Sequence, residues 1–94
     1  MNIRFSDSFT NRLLKQIDYI AQDSPSRARK FYQNLIQKIS EIPQRPLSYR
    51  KSIYFDDATI RDLIFKGYTI VFRINDDSID VFGFVKYQNT IEDK

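Results

Sequence analysis

The hydrophobic spacing of this chain changes once, near residue 49, and that single change limits the folds open to it. Before it, apolar residues fall on two helical stripes, Phe9, Leu13, Ile17, Ile20 and Ala21, then Ala28, Phe31, Tyr32, Leu35, Ile36, Ile39 and Ile42. Recurrence at i, i+3 and i+4 is the signature of an amphipathic helix. After it, apolar residues alternate in short runs broken by Lys66-Gly67 and by Asn75-Asp76-Asp77-Ser78. Alternation with period two is the signature of a half-buried strand. A helical half followed by a strand half predicts an α+β domain, with helices laid on one face of an antiparallel sheet.

The boundaries follow from local chemistry. Ile3 and Phe5 alternate with polar neighbours and suit a short first strand that ends at Ser6-Asp7-Ser8, good helix N-caps. A helix over about 8–22 follows. Asp23-Ser24-Pro25 both stops it and starts the next, because Ser24 can cap and Pro25 suits the first helical position. The second helix runs to Pro43, and so short a connection makes the pair an antiparallel hairpin. Its outer faces carry Arg12, Lys15, Arg27, Arg29, Lys30 and Lys38. No linker or repeat interrupts the chain, so residues 1–94 are expected to form one domain.

Strands are predicted over Tyr49 to Tyr54, Thr59 to Phe65, Tyr68 to Ile74 and Ile79 to Tyr87. If Lys66-Gly67 is a two-residue hairpin loop, Phe65 pairs with Tyr68 and Leu63 with Ile70. If Ile74 pairs with Ile79, then Phe72 meets Val81, Ile70 meets Gly83 and Tyr68 meets Val85. One face then collects Leu63, Phe65, Tyr68, Ile70, Phe72, Ile74, Ile79, Val81 and Val85 as the floor for the helices. The other holds Ile60, Asp62, Ile64, Thr69, Val71, Arg73, Asp80, Phe82, Phe84 and Lys86. Two helices cover only one side of a sheet, so Ile60, Ile64, Val71, Phe82 and Phe84 are expected to form an open apolar surface with cations beside it. The loop at 41–50 and the C-terminal tail are the segments that would hide it.

Composition narrows the chemistry. The 94 residues contain no cysteine and no histidine, which leaves no usual zinc ligand set, no thiol nucleophile and no imidazole acid or base. No metal or cofactor is expected. Residues 1–48 carry eight bases against four acids, and residues 49–94 seven against eight. The surplus on the helical half suits either a solvated surface or an acidic partner. No signal-peptide core or membrane-length apolar run is present, so a cytoplasmic location without membrane contact is expected.

Several local patterns together resemble the RelE/ParE superfamily of type II toxin–antitoxin toxins. They are Tyr19-Ile20-Ala21 followed by Asp23-Ser24-Pro25 and Ala28, then Ile60-Arg61-Asp62-Leu63, then Gly67-Tyr68-Thr69-Ile70-Val71-Phe72-Arg73 with the acidic turn Asn75-Asp76-Asp77-Ser78-Ile79. The resemblance implies a bacterial toxin that inhibits growth, is neutralised by a cognate antitoxin and forms a toxin–antitoxin hetero-oligomer. Two mechanisms run on this fold. RelE-like members cut mRNA on the ribosome without a metal, and ParE-like members poison DNA gyrase.

For metal-free cleavage the resemblance points to Arg73, Lys86 and Tyr87, with a weaker case for Arg61. Cations would neutralise the pentacovalent phosphate, and Tyr87 would donate a proton or stack on a base. Arg61 alternatively pairs with Asp57, Asp62 or the terminal carboxylate, and Arg73 with Asp80 across the strands. Arg50, Lys51, Arg27 and Lys30 are candidate contacts to nucleic acid or target. Ile60, Ile64, Val71, Phe82 and Phe84 are candidate antitoxin anchors, for an acidic amphipathic helix or an added strand. Nuclease members commonly carry a basic residue where this chain has Thr69, which favours the ParE-like, gyrase-binding mode. The alternatives are the RelE-like endoribonuclease and an inactive member that only binds antitoxin.

Overall fold

In the computed structural model, which describes residues 1–86, two serines set the helical half. Ser6 Oγ accepts the Phe9 amide at 3.0 Å and starts α1, Asp7–Asp23. Ser24 then serves both helices. Its N–H donates to the Ile20 carbonyl at 2.9 Å, closing α1, and its Oγ accepts the Arg27 amide at 3.2 Å, opening α2, Pro25–Ser40. α2 stops at Ser40, before the expected Pro43, and tightens into a 3-10 turn as the Glu41 N–H donates to the Lys38 carbonyl at 3.2 Å. Two 3-10 turns, Ile42–Gln44 and Pro46–Ser48, carry the chain onward and leave Ile42 fully buried.

The strands are β1 (Asn2–Phe5), β2 (Arg50–Lys51), β3 (Ile60–Phe65), β4 (Tyr68–Ile74) and β5 (Ser78–Lys86), arranged in the order β1-β5-β4-β3-β2. The sheet is mixed, not wholly antiparallel as expected. β1 runs parallel to β5, with Asn2 beside Ser78 and Phe5 beside Val81. A parallel pair needs a long crossover, and the helix hairpin with β2 to β4 supplies it. The predicted hairpin at Lys66-Gly67 forms with positive φ at both residues, 48° and 84°, the geometry of a type I′ turn.

Register follows expectation as far as Phe72, which faces Val81, and then departs from it. A bulge between Val71 and Phe72 sets Val71 against Gly83, Ile70 against Phe84 and Tyr68 against Lys86. Gly83 permits this close approach, since a Cβ there would lie 2.8 Å from the Val71 Cβ. The extra residue on β5 reverses every side chain after it. Phe84 therefore turns under the helices, stacked on Tyr68 and edge-on to Phe9. Val85 turns to the far face.

The core lies between the helices and this face of the sheet. Phe9, Leu13, Phe31, Leu35 and Ile39 of the helices meet Leu63, Phe65, Tyr68, Ile70, Phe72, Ile79, Val81 and Phe84. The far face is also largely closed, and by a segment that sequence reasoning did not assign to it. Residues 52–59 fold back over it. The Ser52 N–H donates to the Ile60 carbonyl at 2.9 Å, and the Phe55 ring stands edge-on to Phe82 at 5.6 Å. Ile60 and Val71 are each 2% exposed.

Candidate interaction site

The residues expected to form a phosphate clamp do not converge. Arg73 is exposed at the far-face end of β4, while Lys86 lies beside Tyr68, at the other end of that strand. Tyr68 and Arg73 are five positions apart along β4, about 17 Å at the usual rise. The bulge adds a change of face, so the Lys86 ammonium lies over the Tyr19 ring of α1 at 5.8 Å. Tyr87 lies outside the described residues. Arg73 stands opposite Asp80 in register as expected, but Arg4 takes that carboxylate through hydrogen bonds of 2.8 and 3.0 Å. The Arg4 guanidinium holds the Asp80 carboxyl below the usual carboxylate range, with Asn75 and Ser78 adding to the effect. Among the described residues Arg73 makes no ion pair.

Arg61 is committed elsewhere. Its guanidinium donates to the carbonyls of Ala58 at 2.9 Å, Tyr49 at 2.9 Å and Leu47 at 3.4 Å. It ties the 3-10 turns and the approach to β3 against the sheet. None of the carboxylates considered from sequence pairs with it among the described residues.

The cations named as contact candidates divide into two groups. Arg50 lies on the edge strand and pairs with Asp62, whose Oδ2 accepts from Arg50 Nε at 3.2 Å and from the Ile53 N–H at 3.2 Å. Asp62 is fully buried, and its Oδ1 has no partner among the described residues. Lys51 is exposed beside it. Arg27 and Lys30 lie at the opposite end of the sheet, where they share a cleft of about 350 Å³ with Ile20, Phe31 and Lys66. Arg27 pairs there with Asp23 across the helix junction.

The expected apolar surface is corrected in composition. Ile60 and Val71 are sealed by residues 52–59, and Phe84 belongs to the core. Ile64 remains 53% exposed, and Phe82 is half-buried. In place of an open sheet face there is a cleft of about 300 Å³, with Tyr54, Phe55, Phe82 and Val85 on its apolar walls and Ser8 and Arg12 at its rim. Tyr54 and Phe55 are 47% and 45% exposed. Their aromatic character was visible in the sequence, but nothing local showed that they cross the sheet.

One edge of this cleft is unpaired backbone. β1 ends beside Val81, and the Ser6 N–H makes the last bond to the Val81 carbonyl at 3.0 Å before the chain turns into α1. β5 continues to Lys86 with no described strand on that side. A strand edge beside aromatic walls and a rim arginine suits an extended acidic segment. Among the described residues, no helix is long and apolar enough to cross a membrane.

Comparison with known proteins bears on this arrangement. The family described as ParE toxin of type II toxin-antitoxin system, parDE, matches residues 3–89. No curated protein matches. A solved structure described as the chromosomal ParDE TA system from P. aeruginosa is similar in fold, with a TM-score of 0.75 over 94% of this chain and 97% of that one, at 15% identity.

Proposed function

Because the chain belongs to the ParE toxin family of type II toxin–antitoxin systems, we propose that it arrests bacterial growth by binding and poisoning DNA gyrase, and that a cognate antitoxin neutralises it. The observation that carries this reading is the separation of Arg73 from Lys86. A cleaving enzyme must hold its cations around one phosphate before the transition state forms. Here they lie at opposite ends of the sheet and on opposite faces. Target binding needs no such convergence.

The antitoxin takes the cleft walled by Tyr54, Phe55, Phe82 and Val85. An extended segment would continue the sheet along the free edge of β5, place apolar side chains against the aromatic walls and set a carboxylate near Arg12. Aromatic anchors of this kind dominate binding energy where water is excluded. Capture by this route would form a toxin–antitoxin hetero-oligomer.

The test is expression without antitoxin, following growth, DNA breaks and mRNA ends. Growth arrest with gyrase-dependent breaks and intact messages is expected. Codon-phased cuts would instead assign a RelE-like nuclease. Normal growth with a folded product would assign a member that only binds antitoxin.

A further inference from the structure

One end of the sheet mixes charges of both signs, and the other gathers cations that are mostly unpaired among the described residues. Asp56 and Asp57, before β3, and Asp76 and Asp77, in the β4–β5 turn, are exposed at one end of the sheet, together with Arg4 and Arg73. At the other end Arg27, Lys30 and Lys66 line one cleft, and Lys86 stands on β5 beside the start of β4. These cations come from three elements distant in sequence. Only the fold brings them together.

Lys66 is set there against its own backbone preference. It is the one non-glycine residue with positive φ among those described, at a turn position that Asn, Asp or Gly fills with less strain. A strained residue at a surface with no packing reason to hold it points to a role for its side chain. The Lys66 ammonium lies over the Phe65 ring at 5.5 Å, as that of Lys86 lies over Tyr19. Aromatic faces thus position two of the four cations. Among the described residues Asp23 neutralises only Arg27, and the three lysines carry no ion pair.

We infer that this end binds the phosphate backbone of duplex nucleic acid, without reading sequence. A duplex presents about one charge per 1.7 Å of axis, so cations spread over several elements find phosphates without converging on one. An acidic peptide would need apolar anchors as well. Here Phe31 is 9% exposed, and the exposed aromatic beside the cations, Tyr19 at 64%, already has the Lys86 ammonium over its ring. The inference is independent of whether gyrase is the target, because the contact belongs to the chain alone.

Fluorescence anisotropy of the purified chain with a labelled 20-base-pair duplex, over a range of salt concentrations, tests it. With three unpaired lysines engaged, the logarithm of affinity should fall against that of salt with a slope of about −2.7, reduced to about −0.9 in the K30Q/K66Q double variant. Lys38→Gln, near the far end of α2, should leave the slope unchanged. Lys66→Asn should raise the melting temperature, because asparagine accepts the turn, while weakening duplex affinity about eightfold at 0.1 M salt. A K66N protein that melts higher yet binds as before would overturn the inference. So would an unchanged slope in a folded double variant, or preference for a glutamate-rich peptide over the duplex.

Discussion

Phe84 stacks on Tyr68 with ring centroids 5.0 Å apart and planes 16° from parallel, and the contact exists only because Gly83 faces Val71. An added Cβ at Gly83 would meet the Val71 Cβ at 2.8 Å and its Cγ2 at 3.0 Å. Gly83→Ala should therefore force β5 from β4 and cost about 1–3 kcal/mol, as overpacking typically does. Urea unfolding measures it. An unchanged midpoint would mean the bulge has room that the geometry denies.

Phe84 and Phe82 are two residues apart, yet the bulge gives them different roles. Phe84→Ala should destabilise the fold by about 3–5 kcal/mol, as a buried aromatic does. Phe55 and Phe82, which meet edge-on over the cleft, should behave otherwise. Their double alanine variant should stay folded and lose more than about 2 kcal/mol of antitoxin affinity. Calorimetry on the folded variant decides, and unaltered affinity would remove the cleft from the antitoxin site.

Arg61 holds three carbonyl oxygens from two separate segments. Arg61→Ala should lower stability by about 1–2 kcal/mol and speed hydrogen exchange around residues 47–49 and 58, because it removes three hydrogen bonds from a charged group, one of them part-buried. Lysine should not restore the loss, since it lacks the planar fork that serves several carbonyls at once. A variant of wild-type stability that has lost toxicity would return Arg61 to a functional role.

Asp62 is buried on the far face with Arg50 as its only cation within ion-pair distance among the described residues. Arg50→Ala leaves that carboxylate with the Ile53 N–H alone and should cost about 1–3 kcal/mol, whereas replacing both by apolar residues of similar size should be close to neutral. Thermal melts of the single and double variants separate the two outcomes. Equal losses in both would show that packing, not charge, is at stake.

Acid should loosen the β1 edge. Arg4 lowers the Asp80 pKa from its ordinary 3.8, so the carboxylate binds fewer protons folded than unfolded. Its contribution is complete above the ordinary value and is lost as pH falls through the lower folded one. Asp57 acts in the same direction through hydrogen bonds from Thr59. The melting temperature should drop below about pH 4, and less steeply in Arg4→Gln. Parallel acid limbs in the two proteins would remove this pair as the cause.

Much of the architecture lies in the sequence because its causes are local. Ser6 and Ser24 cap helices through bonds to amides three residues away. Lys66-Gly67 closes a hairpin within its own few residues, and the pairs from Phe65–Tyr68 to Ile74–Ile79 follow from that turn and from alternation, except across the bulge. Family membership was legible for the same reason, as an order of such local signals.

What remained depended on contacts between distant segments. Alternation alone assigns Phe84 and Lys86 to the far face; the approach of Gly83 to Val71 reverses both. Nothing near Tyr54 or Phe55 announces that they will lie against Phe82, and nothing near Arg61 announces the carbonyls it will meet. The parallel pairing of β1 with β5 and the gathering of Lys30, Lys66 and Lys86 at one end have the same origin. Hydrogen-bonding preference and hydrophobic period are properties of a few neighbouring residues, so the sequence by itself determines elements and their order. Which faces close, and which charges meet, is decided by steric fit across the whole chain, where one absent side chain at residue 83 redirects three others.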